Sequence, residues 1–421
     1  MNQSIRNRST PLPARLARWF FLAVLAALSV KIALTTVGDQ LALSNPESAL
    51  DFQSDESMSR LLIAAGILRD DKARLGNAVE NTVEALRANP FSAPALSLLA
   101  TADEARSNAA GARVLMTLAG QIDSHYAKSS IWLLGHDILD NKTDSALRRI
   151  DLLFRLGQES APLTLALAPA LASAQYRVGF LRLLRGDPPW RRSVLGQLAD
   201  MIDRVPGLFS LFGELQAGAN PLTTSELSPV LTRLIAASRF DQAYLLWKRS
   251  LPEGRLDNGE ILYNGRFAYP PTGLAFDWQY DKTQGYRVEV DPEGASQILN
   301  LDFIGSRVAS PFVSHLLALQ PGNYRFSGVA RARGLENPRG VRWRMTCVPG
   351  KPLGADPDAN AITATDLLSG DSPWRDFSAK IAVPAANCRY QSLVLELPAR
   401  VTLETEIRGG VSFANLVIDK M

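Results

Sequence analysis

The chain has 421 residues, enough for two or three domains, and its 46% hydrophobic and 21% charged residues are ordinary for folded ones. The net charge of +3 is unevenly placed: Arg6, Arg8, Arg15 and Arg18 fall within residues 1–18, which hold no acid, and without those four the chain has 41 basic residues against 42 acidic. A sequence pI near 8.8 therefore reflects the N-terminal tail, and no nucleic-acid partner is expected.

Residues 19–37 read WFFLAVLAALSVKIALTTV, with only Lys31 breaking the apolar run. At the rise of an α-helix this run reaches roughly 28 Å, just enough for a hydrocarbon core. Arginines before the run and Trp19 at its start predict a single-pass anchor, with the N-terminus cytoplasmic and the bulk exported. Lys31 opposes this but can snorkel toward an interface. Two alternatives stay open. One is a cleaved signal peptide with a weak cleavage candidate at Ala42-Leu43-Ser44; the other is a buried helix of a cytosolic protein.

Residues 56–250 lack strand alternation and are rich in Ala and Leu. The blocks beginning at Ala93 and Ala127 are offset by 34 residues, and in register Leu99 meets Leu133, Asp103 meets Asp137, Ala112 meets Ala146, and Met116 meets Ile150. Ala85-Leu86 followed by Asn89-Pro90 predicts a helix end, since the residue before proline is driven out of the helical region. These residues resemble the tetratricopeptide repeat family over about residues 58–160, without the family's Trp-x-x-Leu-Gly opening, and a last helical pair returns at 225–250. The resemblance implies a stacked array with a partner-binding groove; a simple spacer is the alternative. Asn141-Lys142-Thr143 matches a glycosylation sequon at a predicted turn, and His125 and His136 lack the partners of a metal site.

From about 252 the composition turns to Pro, Gly and Asn, and short alternating strands follow at 286–290, 297–303, 323–331, 341–348, 379–383, 392–397, 401–407 and 411–418. Turns are expected at Pro321-Gly322-Asn323 and at Arg408-Gly409-Gly410. This spacing predicts an antiparallel sandwich or jelly roll. Cys347 and Cys388 each lie on a predicted strand. Given an export segment they favour a disulfide closing about 42 residues, over two buried thiols. The stretch from Asn264-Gly265-Arg266-Phe267 through Phe276-Asp277-Trp278 and the closing VSFANLVID resemble the galactose-binding-like jelly rolls of carbohydrate-binding modules. That resemblance implies a sandwich able to bind glycan, although such sandwiches also serve as structural modules.

In Val341–Cys347 the apolar side chains alternate with Arg342 and Arg344, so Trp343 points inward and both arginines outward. On the preceding strand Arg325, Arg331 and Arg333 share the opposite parity to Tyr324 and Phe326. If the two strands pair as a hairpin, up to five arginines crowd one face and demand anions, either from strand acids such as Glu289, Glu396, Glu404 or Glu406 or from an acidic glycan. Trp278 reads as core, and Trp374, at the end of a loop from Pro349 to Asp371, reads as a candidate stacking platform. The candidate glycan residues are thus Arg342, Arg344, Arg331, Arg333 and Trp374.

The sequence has no Walker loop, His-Glu-x-x-His, Gly-x-Ser-x-Gly or Cys-x-x-Cys, so no cofactor, metal or catalytic set is expected. The expected class is multidomain α plus β: a tail and transmembrane helix over 1–45, an α-solenoid over 46–252 and a β-sandwich over 253–421. The resemblances imply a non-catalytic, inner-membrane-anchored periplasmic accessory of bacterial exopolysaccharide assembly or export. Its sandwich would bind polysaccharide and its helices an envelope protein partner. A purely structural envelope scaffold is the alternative, and a glycan-modifying enzyme with an unrecognised acid pair a third reading.

Overall fold

The computed structural model describes residues 14–52, 56–70, 72–157, 160–256, 260–280, 285–348 and 361–421. The chain folds as two compact units, residues 1–159 and 160–421.

The first unit is helical: α1 (Ala14–Ser44), α2 (Pro46–Ala49), α3 (Glu56–Asp70), α4 (Leu75–Ala88), α5 (Ala93–Ala105), α6 (Ala109–Ile122), α7 (Ala127–Leu139) and α8 (Thr143–Arg155). The 34-residue period is realised, because α5 and α7 start 34 residues apart, as do α6 and α8. Ala112 and Ala146 are both fully buried, and Met116 and Ile150 follow them into the core one turn later. The turn chemistry repeats as well. Ser107 and Asn141 take positive φ (62° and 54°) just past the ends of α5 and α7. The next amides, Asn108 N and Lys142 N, donate to the carbonyls of Asp103 (2.9 Å) and Asp137 (2.8 Å), a left-handed cap that closes the helix and starts its partner. The sequon asparagine occupies that tight turn. His125 is exposed, and His136 packs against Trp132 at 3.8 Å between ring centroids. As expected from Asn89-Pro90, α4 ends at Ala88, and Asn89 turns extended (φ −136°, ψ 92°).

α1 contains the apolar run of 19–37 in one 31-residue helix, with Phe21, Leu22, Leu28, Val30 and Ile32 exposed. Among the described residues, however, no helix is long and apolar enough to cross a membrane. The expected transmembrane helix is therefore not shown among the described residues.

The second unit begins with α9 (Ser160–Leu167), α10 (Ala174–Arg185), α11 (Arg191–Ala199), α12 (Leu208–Gln216), α13 (Thr224–Ala236) and α14 (Phe240–Ser250). Arg191, fully buried, pins α11 to α13: its Nε and Nη2 donate to the Glu226 carboxylate at 2.9 and 3.1 Å, while its other donors reach the carbonyls of Leu184 and Pro221. Glu226 also accepts from the backbone N–H of Thr223 at 2.9 Å, which starts α13.

Among the described residues nine strands follow: β1 (Tyr286–Glu293), β2 (Ser296–Arg307), β3 (Val313–Leu317), β4 (Gly322–Glu336), β5 (Arg342–Val348), β6 (Ala361–Ala364), β7 (Gly370–Val383), β8 (Tyr390–Glu396) and β9 (Glu406–Lys420). They form two antiparallel sheets, ordered β1-β2-β9-β4-β7 and β3-β8-β5-β6. Inward-facing Phe326, Trp343, Phe413, Leu299, Leu301, Leu393 and Leu395 fill the core between them, as strand alternation predicts. Trp278 is core too, fully buried with its indole N–H donating to the Asn264 carbonyl at 2.8 Å. The segment from Asn264 to Trp278 is an irregular run of turns held by side-chain bonds to the backbone. Asp277 accepts from Thr272 N, Thr272 Oγ1 and Trp278 N, each at 2.8 Å, and Gly265 lies so close to β9 that a Cβ there would stand 2.1 Å from the Leu416 carbonyl oxygen.

Three sequence expectations are corrected. Arg408-Gly409-Gly410 is not a turn but the interior of β9, where Gly409 (φ 96°) absorbs a register shift against β4 and lets one long strand continue past residue 407. β4 and β5 do not pair: β4 lies between β9 and β7, β5 between β8 and β6, so the five arginines never share a face. Trp374 lies on β7, which starts at Gly370, and most of the loop expected before it, residues 349–360, lies outside the described residues.

The disulfide is present: Cys347, ending β5, bonds Cys388, just before β8, with Cα atoms 4.8 Å apart. Around Phe276 the second unit's last helix meets the sandwich through aromatic contacts. Tyr244 and Trp247 of α14 pack on the Phe276 ring, and Phe240 stacks on Tyr390 at 5.4 Å.

Candidate functional site

The five arginine and tryptophan candidates divide between the sheets. On the four-stranded sheet, Arg342 stands directly opposite Glu396 in the β5–β8 register, with Arg344 two residues along the same face. Their Nε atoms donate to the two oxygens of that one carboxylate, at 3.1 and 2.8 Å. Both guanidiniums are 13% exposed and Glu396 9%. This is an intramolecular clamp in which one carboxylate holds both arginines.

Arg331, Arg333 and Trp374 lie on the outer face of the five-stranded sheet, and there the geometry is different. Register places Glu289 opposite Asn300, Asn300 opposite Ser412, and Ser412 opposite Arg331, giving one polar row across β1, β2, β9 and β4. At its centre Ser412 Oγ donates to Asn300 Oδ1 (2.6 Å), and Asn300 Nδ2 donates to Asp291 (2.9 Å) beside the row. At its end the Arg331 guanidinium lies over the Trp374 ring, 4.6 Å from the centroid. Arg333 extends beside them, 58% exposed and only 3.9 Å from Asp302.

Glu293, which the sequence reading did not single out, completes the cluster. Its Oε1 accepts from Arg331 Nη1 and from Trp374 Nε1, both at 3.0 Å, and its Oε2 accepts from Arg331 Nη2 at 2.5 Å. The arginine bonds, and then the indole bond, hold this carboxyl below the usual carboxylate range. Arg331 Nε is buried and has no partner among the described residues. No local pattern marks Glu293. It ends β1 beside the Gly294-Ala295 turn, and only the strand order brings that tip to β7.

The other strongly perturbed groups are structural. His315 is buried with its ring nitrogens 2.8 Å from the Leu316 carbonyl and 3.1 Å from the Tyr263 carbonyl, and burial lowers its pKa. The Arg339 bond drives Glu404 down to about 2. A cavity of about 790 Å³ lies away from the Trp374 face, between Phe240 and Asp241 at the α13–α14 turn and the 384–390 segment of the sandwich.

No protein-family model matches the chain, and no curated protein matches it. Among solved structures it is similar to a CBM4 structure at 13% identity, covering 38% of this chain and 99% of that one with a TM-score of 0.29. It is also similar to the CBM22-2 xylan-binding domain of Paenibacillus barcinonensis Xyn10C at 18% identity, covering 34% and 91% with a TM-score of 0.23. Pseudomonas aeruginosa PilF is similar at 16% identity, covering 51% and 83% with a TM-score of 0.24. At such scores these likenesses decide neither ligand nor partner.

Proposed function

We propose that the second unit is a non-catalytic glycan-binding module and that its site is the outer face of the five-stranded sheet around Trp374, Arg331 and Arg333. The observation that carries this reading is the half-buried Trp374 indole set at the end of a row of hydrogen-bonding side chains that crosses the sheet. A sugar offers an apolar ring face to the indole and oxygens to the arginine donors beside it, of which Arg333 is 58% exposed. In the same proposal the repeated hairpins of the first unit bind a protein partner, as stacked arrays do. The whole serves surface-polysaccharide assembly or export from the periplasmic side of a bacterial inner membrane, with α1, whose apolar side chains face outward, as the attachment. The buried carboxylates Glu226, Asp277 and Glu396 all hold donors from their own chain, which supports a binding role over acid–base chemistry.

The test is affinity electrophoresis of the full chain in mild detergent, through gels containing acidic or neutral polysaccharides. Retardation by at least one polysaccharide, lost in Trp374→Ala, supports the module; free mobility through all of them rejects it. Fractionation with protease protection tests the membrane attachment, and recovery in the soluble fraction would reject it.

A structural scaffold is the second reading, favoured by one observation: Arg342, Arg344 and Arg331 all meet carboxylates of their own chain.

A further inference from the structure

β1 and β7 are opposite edges of the five-stranded sheet. At roughly 4.8 Å between neighbouring strands, four gaps would put flat edges about 19 Å apart. Yet Glu293 of β1 hydrogen-bonds Trp374 of β7. The sheet therefore curls, and the tip of the β1–β2 hairpin leans over the row of polar side chains.

What holds the tip there is charge rather than packing. Pro292, Glu293, Gly294 and Ala295 are all exposed. The Glu293 carboxylate ties the tip to β4 and β7 through Arg331 and Trp374. On the other side the receptor is built: Arg331 is 20% exposed, lies against the Trp374 ring, and joins the indole N–H in aiming three donors at one carboxylate. Guanidinium forks fit carboxylates bidentately. Glu293, the solvent-facing partner, is 41% exposed, and such a pair adds little net stability, so a ligand carboxylate that re-forms the same bonds can take its place at small cost.

We infer that Arg331 and Trp374 form a receptor for the carboxylate of a uronic-acid-containing glycan, and that Glu293 is its built-in competitor, displaced when the glycan binds. This rests on reading the Trp374 face as glycan-binding. It adds the ligand class and a residue that opposes binding. Glu293→Gln keeps the shape of the side chain and weakens its hold on Arg331.

The experiment is calorimetry of full-length wild type and Glu293→Gln with oligogalacturonate and oligoglucuronate, each paired with its carboxyl-reduced counterpart. The expected result is affinity for a uronate raised roughly fivefold in Glu293→Gln, the most an exposed pair is worth, with its reduced counterpart unchanged or unbound. Equal binding of uronate and reduced sugar in both proteins overturns the carboxylate receptor and leaves the glycan reading standing. Uronate selectivity that Glu293→Gln does not change, or weakens, overturns the competitor role. Binding of none of the four sugars to either protein overturns the inference together with the reading beneath it.

Discussion

Glu293 and Trp374 sit on strands at opposite edges of one sheet and are joined by a 3.0 Å hydrogen bond across its outer face. In the proposed site this contact makes Trp374 half of a binding surface and half of a closure. Removing the ring and removing only its N–H therefore have different consequences. Trp374→Ala is expected to weaken glycan binding by about 1–2 kcal/mol, roughly five- to thirtyfold, as loss of an aromatic anchor does. Trp374→Phe keeps an apolar face, loses the bond to Glu293, and should bind within a few-fold of wild type. Calorimetry on the two variants checks this, and equal losses would place the indole N–H, not the ring face, at the centre of recognition.

Arg191 and Glu226 form a buried ion pair whose donors are almost all used. Arg191→Ala strands a buried carboxylate and should cost about 3–5 kcal/mol. The double change Arg191→Met with Glu226→Met removes both charges and should cost much less. Urea unfolding of the three proteins measures the difference, and a double variant as unstable as the single one would mean that packing around Arg191, not charge, is what matters.

The Cys347–Cys388 disulfide closes a separation of 41 residues. In the chain-entropy model its loss costs about 4 kcal/mol. Cys347→Ser with Cys388→Ser should lower the unfolding transition of the second unit and leave the first unit's transition in place. Calorimetric scans with and without reductant resolve the two.

Tyr390 donates its hydroxyl proton to Asp241 and lies beneath Phe240. Burial, then the bond to Asp241, pushes the phenol well above its ordinary value. A raised folded pKa gives stability that is fully present below the unfolded value near 10 and is lost as pH rises toward the folded one. The junction of α14 with the sandwich should therefore loosen in alkali. Tyr390→Phe should be less stable at neutral pH and less sensitive above pH 10, read by denaturant midpoints at several pH values.

At the acid end, the Arg339 guanidinium holds Glu404 at about 2. Its support is present above the unfolded value near 4.3 and is lost as pH falls toward 2. Arg339→Met should return the Glu404 titration to the ordinary carboxylate range. Carboxyl NMR measures it directly, and a titration still near 2 would assign the shift to the Arg400 amide instead, which also donates to Glu404.

The helical hairpins were legible because their signal is local. A 34-residue offset of Ala112 with Ala146 and Met116 with Ile150 reports which side chains face the next helix, and Asn89-Pro90 stops a helix by sterics alone. Inward Trp343 and Phe326 followed from the two-residue alternation of strands. The long reach of β9 through Gly409-Gly410 did not, because a glycine pair reads as a turn when its register neighbours are unknown.

By itself, then, the sequence determined the helical period, the inward faces of the two strands carrying Phe326 and Trp343, the pairing chemistry available to Cys347 and Cys388, and the arginine-rich character of β4 and β5, whereas residues 402–405, expected as strand, form a 3-10 turn. Only the tertiary structure decided which of those arginines stand together. Strand order is set by which faces bury best against one another over separations of a hundred residues, and no local pattern records it. It inserted β9 between β2 and β4, sent Arg342 and Arg344 to Glu396 on the other sheet, and curled β1 over until Glu293 met Arg331 and Trp374.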